Sequence, residues 1–315
     1  MPFANKVQKY PYLWVGGNDI YAKMICEAVI DEAREIFPDL EFRYVSGLKD
    51  ILRSNPLVVC GEGAFTGCLY WLAKILNKKV VLYYLPKENL FFEKYSRIAK
   101  LIISSCEEEE KDCYPSPVLL SDIPTQKYIE RVWKKEKLLS KRGCLGVIGE
   151  FGDEDLKNKL CGALNLLIED LDLNIVFISL RGEIEKDIIS NIKYSANTKY
   201  LQGNKYAARD LLGVISKIDF LVASNIEGAE CALSLNKPVV GMCNDRRLNR
   251  LLNGLTEEEV CFDFAKFSVE ELYSKIKVAW VHRTALVEQM QNKVLALRNK
   301  AEEGVKRLCK EILEM

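Results

Sequence analysis

The chain has 315 residues, 49% hydrophobic and 29% charged, with 45 Lys+Arg against 45 Asp+Glu. That length and mix predict a globular protein of about two domains, and zero net charge excludes a broadly basic nucleic-acid binder. Gly (18) and Pro (9) are too few for a fibrous or low-complexity chain, and no uncharged apolar run of about 18 residues or secretory leader is visible, so a cytoplasmic location is expected.

Short apolar runs of strand type alternate with helical patterns along the whole chain. Strands are predicted at Tyr12–Val15, Glu41–Val45, Pro56–Cys60, Lys79–Tyr84, Leu101–Ser104 and Val118–Leu120, with helices at Ile20–Ile36 and Phe65–Leu76. A second series follows. Its strands are Cys144–Ile148, Asn174–Leu180, Lys199–Leu201, Phe220–Ala223, Pro238–Met242 and Val260–Phe262. Its helices are Glu154–Glu169, Glu183–Ile192, Ala207–Ser216, Gly228–Leu235 and Arg246–Leu252. Nearly all-apolar strands suit parallel sheets buried on both faces, and alternation with helices suits right-handed βαβ units.

The expected fold class is therefore α/β, two Rossmann-like domains with parallel sheets facing a cleft. The boundaries are residues 1–124 for the first domain, 125–142 for a solvated linker helix, 143–267 for the second domain, and 268–315 for charged helices that pack back on the first.

Ligands of open α/β sheets bind beyond the carboxyl ends of strands, where loops meet helix N-termini. Four such loops carry candidate residues. Gly16-Gly17-Asn18-Asp19 follows the first strand, and its glycines would let a ligand approach the backbone; a tight turn capped by Asn18 or Asp19 is the plainer reading. Gly61-Glu62-Gly63 opens the next loop, where exposed N–H groups could form an anion nest and Glu62 could accept sugar hydroxyls. Arg181 stands just past a strand, placed to bind a carboxylate or phosphate, or to be an ordinary surface arginine. The richest stretch is Asp210–Asn244. There the strand Phe220–Ala223 delivers Ser224-Asn225-Ile226-Glu227-Gly228, and a helix carrying Glu230 follows. Glu227 and Glu230 could accept ribose or sugar hydroxyls, or could simply stabilise the helix dipole from its first turn. Asn244, Arg246 and Arg247 follow the next strand.

Eleven cysteines, an odd number with no Cys-x-x-Cys pair, do not make a zinc ribbon or a disulfide framework. They are expected to be reduced core residues. His282 is the one histidine, so no multi-histidine metal site can form, and no metal is expected.

The segment from Ile215-Ser216-Lys217-Ile218-Asp219 through Ser224…Gly228-Ala229-Glu230-x-Ala232-Leu233 to Lys237-Pro238-Val239-Val240-Gly241-Met242 resembles the polysaccharide pyruvyl transferase family. Gly16–Asp19, Gly61–Gly63, Leu120–Pro124 and Ile175–Asp187 match that family's order of motifs, so the resemblance spans roughly residues 12–300. It implies a two-domain GT-B-like architecture and transfer of pyruvyl from phosphoenolpyruvate to a sugar of a cell-surface glycan. The family's Arg-x-His is replaced here by Asn225-Ile226-Glu227, which removes cations that would hold a small trianion.

Asn225, Glu227 and Asp19 are accordingly the expected catalytic positions. Gly16, Gly17, Asn18, Gly61, Glu62, Gly63, Arg181, Glu230, Asn244, Arg246 and Arg247 are the expected substrate-binding set. Two alternatives stand beside the pyruvyl transferase reading: a nucleotide-sugar-dependent GT-B glycosyltransferase, and a degenerate glycan- or protein-binding member. No cofactor is expected beyond the donor, which is phosphoenolpyruvate or a nucleotide-sugar. The expected partners are a small-molecule donor and a glycan acceptor, with no nucleic acid. Transient membrane contact through a lipid-linked acceptor and homo-oligomerisation stay open.

Overall fold

The computed structural model describes residues 11–15, 20–45, 50–51, 54, 56–60, 73–83, 96–105, 113–138, 142–149, 153–180, 186–242, 246–256 and 260–314. Residues 1–120 together with 299–315 form one compact unit, and residues 121–298 form another.

The first unit is built on a six-stranded sheet of β1 (Tyr12–Val15), β2 (Arg43–Tyr44), β3 (Leu57–Cys60), β4 (Val80–Tyr83), β5 (Ala99–Ser105) and β6 (Cys113–Tyr114). The order is β2-β1-β3-β4-β5-β6, and every pairing is parallel. Every residue of β3 and β4 is buried, as befits strands covered on both faces. Tyr12, Ile51, Leu57, Val59, Ala73, Val80 and Leu82 form one core layer. Helix α1 (Ile20–Ile36) buries Ile20, Met24, Ile25, Ala28 and Val29 at helical spacing.

The predicted strand at Val118–Leu120 is instead a turn of 3₁₀ helix, Pro117–Leu120. Pro117 brings no N–H to a ladder. Leu119 donates to the Ser116 carbonyl at 3.1 Å, and Val118 donates to the Ser116 hydroxyl oxygen at 3.3 Å. The sixth strand is Cys113–Tyr114, just before the prolines.

The second unit opens with α2 (Gln126–Lys135). Then come β7 (Cys144–Ile148), α3 (Glu154–Leu171), β8 (Asn174–Ser179), α4 (Lys186–Asn191), β9 (Thr198–Gln202) and α5 (Ala208–Ile215). After these follow β10 (Phe220–Ala223), α6 (Ile226–Ser234), β11 (Val239–Met242), α7 (Arg246–Asn253), β12 (Cys261–Phe262) and α8 (Val269–Val281). Helix α9 (Arg283–Glu314) begins in this unit and ends in the other. The sheet order is β12-β11-β10-β7-β8-β9, again all parallel. The helices start where local chemistry says they should. Asp153 caps α3 by accepting from Leu156 N at 3.1 Å, with Glu154 and Asp155 in its first turn. Ser268 and Glu271 close a capping box on α8.

Helix α2 corrects the expectation of a solvated linker. Ile129, Val132 and Trp133 are buried, and the helix packs on α5. The Trp133 indole N–H donates to the carbonyls of Gly213 (3.2 Å) and Val214 (3.1 Å). The Tyr128 hydroxyl donates to Asp210 at 2.5 Å, and the Tyr206 hydroxyl donates to Glu136 at 2.8 Å. The apolar residues at i, i+3 and i+4 make one face of this helix a core face, despite its lysines.

Cys26, Cys60, Cys144, Cys161, Cys231 and Cys309 are free and buried, as core thiols should be. Cys261 departs from that expectation: it is disulfide-bonded.

Candidate functional site

The strand order of the second unit reverses between β7 and β10. From β7 the chain runs outward through β8 to β9, then returns to place β10 on the other side of β7 and continues to β11 and β12. Such a reversal opens a crevice beyond the carboxyl ends of the two strands. Ile148 ends β7, Ala223 ends β10, and the two are direct partners.

Just past them the two chain segments approach closely. Ser224 N donates to the Ile148 carbonyl at 2.9 Å, and Gly149 N donates to the Ile178 carbonyl at 3.2 Å. Gly149 has φ +139°, which a side chain rarely adopts. A Cβ there would collide with the Ser224 hydroxyl and lie 3.2 Å from its backbone nitrogen. Gly149 belongs to no motif, those that carry the family resemblance included; its signal in the sequence is a glycine directly after an all-apolar strand.

Asn225 is extended (φ −141°, ψ 163°) and is the N-cap of α6: its Oδ1 accepts from Gly228 N at 3.0 Å. The cap starts the helix at Ile226, two residues before the predicted start. Gly228 seats the first turn against β7, since a Cβ there would meet Ile148 Cγ2 at 2.8 Å.

Glu227 and Glu230 are 4% and 3% exposed. They sit in α6 among Ala229, Cys231, Ala232 and Leu233, all buried. Placing two carboxylates in such surroundings carries a large desolvation cost. The helix dipole answers for Glu227, which lies in the first turn. Glu230 is the fifth helical residue, where that effect has faded. Burial, and then the charges of Glu230 and Glu227, push the Cys231 thiol well above its ordinary range. Cys231 is a buried free thiol that this environment keeps protonated.

Arg246 and Arg247 open α7, which follows β11 and packs against α6. Arg246 is exposed and Arg247 half-buried, while Leu248 and Leu252 fasten the helix to the core. The structure thus gathers Asn225, Glu227, Glu230, Arg246 and Arg247 on the segments that leave two adjacent strands. Gly16, Gly17, Asn18, Asp19, Gly61, Glu62, Gly63, Arg181 and Asn244 lie outside the described residues. His282 is exposed at the junction of α8 and α9. Among the described residues no group of three His, Cys, Asp or Glu could hold a metal ion, and no helix is long and apolar enough to cross a membrane.

No family model matches this chain, and no curated protein matches its sequence. Solved structures do. A UDP-GlcNAc 2-epimerase from Neisseria meningitidis bound to UDP-GlcNAc is similar with a TM-score of 0.61 and 14% identity, over 96% of this chain and 100% of that one. The S. aureus MnaA–UDP structure is similar with a TM-score of 0.59 and 12% identity, over 95% and 94%. A glycosyltransferase from Rickettsia africae gives 0.56 and 14%, over 97% and 99%. At such identities the likeness shows the fold: two parallel-sheet α/β domains of GT-B type.

Proposed function

We propose that this protein binds a nucleotide-sugar and transfers its glycosyl group, as a GT-B-type glycosyltransferase. The observation that carries this reading is the buried pair Glu227 and Glu230 on α6, at the point where the strand order reverses. Carboxylates accept hydrogen bonds from vicinal hydroxyls, as a ribose or sugar presents them. Gly149 and Gly228 supply backbone without side chains at the same strand ends. Two of the similar structures hold UDP or UDP-GlcNAc, which adds support for nucleotide-sugar binding.

In such a transfer the bond between the sugar's anomeric carbon and the diphosphate oxygen breaks. An acceptor oxygen bonds to that carbon, and the nucleoside diphosphate leaves with the electron pair. The acceptor's proton passes to a base, for which Asp19 and Glu62 are the candidates by sequence. Arg181, Arg246 and Arg247 are the candidates for balancing the diphosphate charge.

Pyruvyl transfer from phosphoenolpyruvate keeps the support of the sequence resemblance over residues 174–252. It lacks cations at the position of the family's Arg-x-His, where Asn225 caps a helix and Glu227 is buried. Calorimetric titration of UDP and, separately, of phosphoenolpyruvate decides between them. UDP binding that Glu230→Gln weakens about tenfold or more supports the proposal. Binding of phosphoenolpyruvate alone returns the protein to pyruvyl transfer.

A further inference from the structure

The chain is neutral overall, yet one surface of the second unit is not. Residues 126–137 and 203–217, which contain α2 and α5, carry eight Lys or Arg against three acids. The three acids are all engaged. Asp210 accepts from Tyr128, Glu136 from Tyr206, and Glu130 from the Gln126 amide.

Four of the eight cations lie against aromatic rings. The guanidiniums of Arg131 and Arg209 both lie against the Tyr128 ring, 4.7 and 4.9 Å from its centroid. Lys217 lies 5.3 Å from the Trp133 ring and Lys135 lies 5.9 Å from Tyr206. Stacking of this kind costs a cation little of its charge and limits its wandering. Lys127, Arg131 and Lys134 follow one another at i, i+4 and i+7, so the exposed face of α2 is a basic stripe. Of its four cations only Lys135 forms an ion pair among the described residues, a loose 3.8 Å contact with Glu136. Ile123, just before the helix, leaves 54% of its surface exposed.

We propose that the α2–α5 surface is a docking face for an anionic lipid bilayer. The charge is complementary to acidic headgroups. The cations are spread along an exposed helix face, which fits an extended layer of charge better than one small anion. The exposed isoleucine at the end of the stripe suits shallow insertion between headgroups. Polybasic helix faces gain affinity for such membranes in proportion to their Lys and Arg. None of these residues belongs to the nucleotide site proposed above, so the two readings stand or fall separately.

The test is sedimentation of the full-length protein with vesicles of phosphatidylglycerol and with vesicles of phosphatidylcholine, at low and high salt. Binding to the acidic vesicles alone, released by salt, is the expected result. The triple variant Arg131→Glu/Lys134→Glu/Lys135→Glu should lose about a hundredfold in affinity, and the milder Arg131→Gln/Lys134→Gln should lose less. Both should keep the wild-type melting temperature and the wild-type titration with UDP. Equal binding to both kinds of vesicle, undiminished binding by a folded variant, or retention by RNA or an acidic polysaccharide in place of acidic vesicles overturns the proposal.

Discussion

Gly228 donates its backbone N–H to the Asn225 side chain at 3.0 Å, and its missing Cβ leaves room for Ile148, whose Cγ2 would otherwise stand 2.8 Å away. One residue thus takes the cap of α6 and lets the helix seat on β7. Gly228→Ala should cost about 1–3 kcal/mol through overpacking, and Asn225→Ala about 1 kcal/mol through loss of the cap. Asn225→Asp should recover most of that loss. Urea unfolding measures all three, and an Asn225→Ala protein as stable as wild type would show that the cap adds nothing.

Glu227 and Glu230 should separate stability from binding. Gln keeps the volume of either buried carboxylate and one carbonyl oxygen to accept hydrogen bonds, so both variants should fold. Affinity for UDP should fall about tenfold or more, as when a hydrogen bond to a charged group is lost. Calorimetry on folded variants reads this directly. Unchanged affinity in both variants would take the acids out of the site.

Trp133 should behave as a core residue. Its truncation to Ala opens a cavity and leaves the Gly213 and Val214 carbonyls without the indole donor. The expected cost is about 3–5 kcal/mol. A solvated linker tryptophan would cost within about 0.5 kcal/mol, so the urea midpoint of Trp133→Ala distinguishes the two pictures.

Alkaline pH should destabilise the protein through its buried thiols. Burial pushes the Cys161 thiol up to about 11. Burial, with the Asp219 charge adding and Lys237 opposing, pushes Cys144 up to about 12. In the unfolded chain such thiols ionise near 8.5, to within about a unit. The unfolded state therefore releases these protons first. The stability tied to them is whole below about pH 8.5 and is lost as pH rises toward the folded values. The urea midpoint should fall across that window, with a shallower slope in Cys161→Ala. Iodoacetamide should label Cys161 slowly at pH 8 until urea is added, and fast labelling of the native protein would contradict its burial.

Much of this fold was legible residue by residue. Tyr12–Val15, Cys144–Ile148 and Phe220–Ala223 are strands within the predicted bounds, because four or five apolar residues between turn signals leave few alternatives. Ile20–Ile36 is a helix within the predicted bounds for the same kind of reason. Val118–Leu120 misled because β-branched and aliphatic content outweighed its flanking prolines. The lysines of α2 misled because polar composition hid a three-residue apolar face.

The candidate site was legible in part. Asn225, Glu227 and Glu230 stood out by their place after a strand, but the sequence assigned both acids to a first turn. The cap at Asn225 moved the helix start and left Glu230 outside it.

Chain-local chemistry, then, determined the element order, the parallel βα rhythm and the loops worth searching, since apolar periodicity, caps and glycines act within a few residues. The tertiary structure alone decided that the strand order reverses at β7 and β10, that both glutamates are covered, and that α2 turns its tryptophan into the core while its cations face outward. Burial depends on which distant surface arrives to cover a residue, and no window of sequence contains that partner.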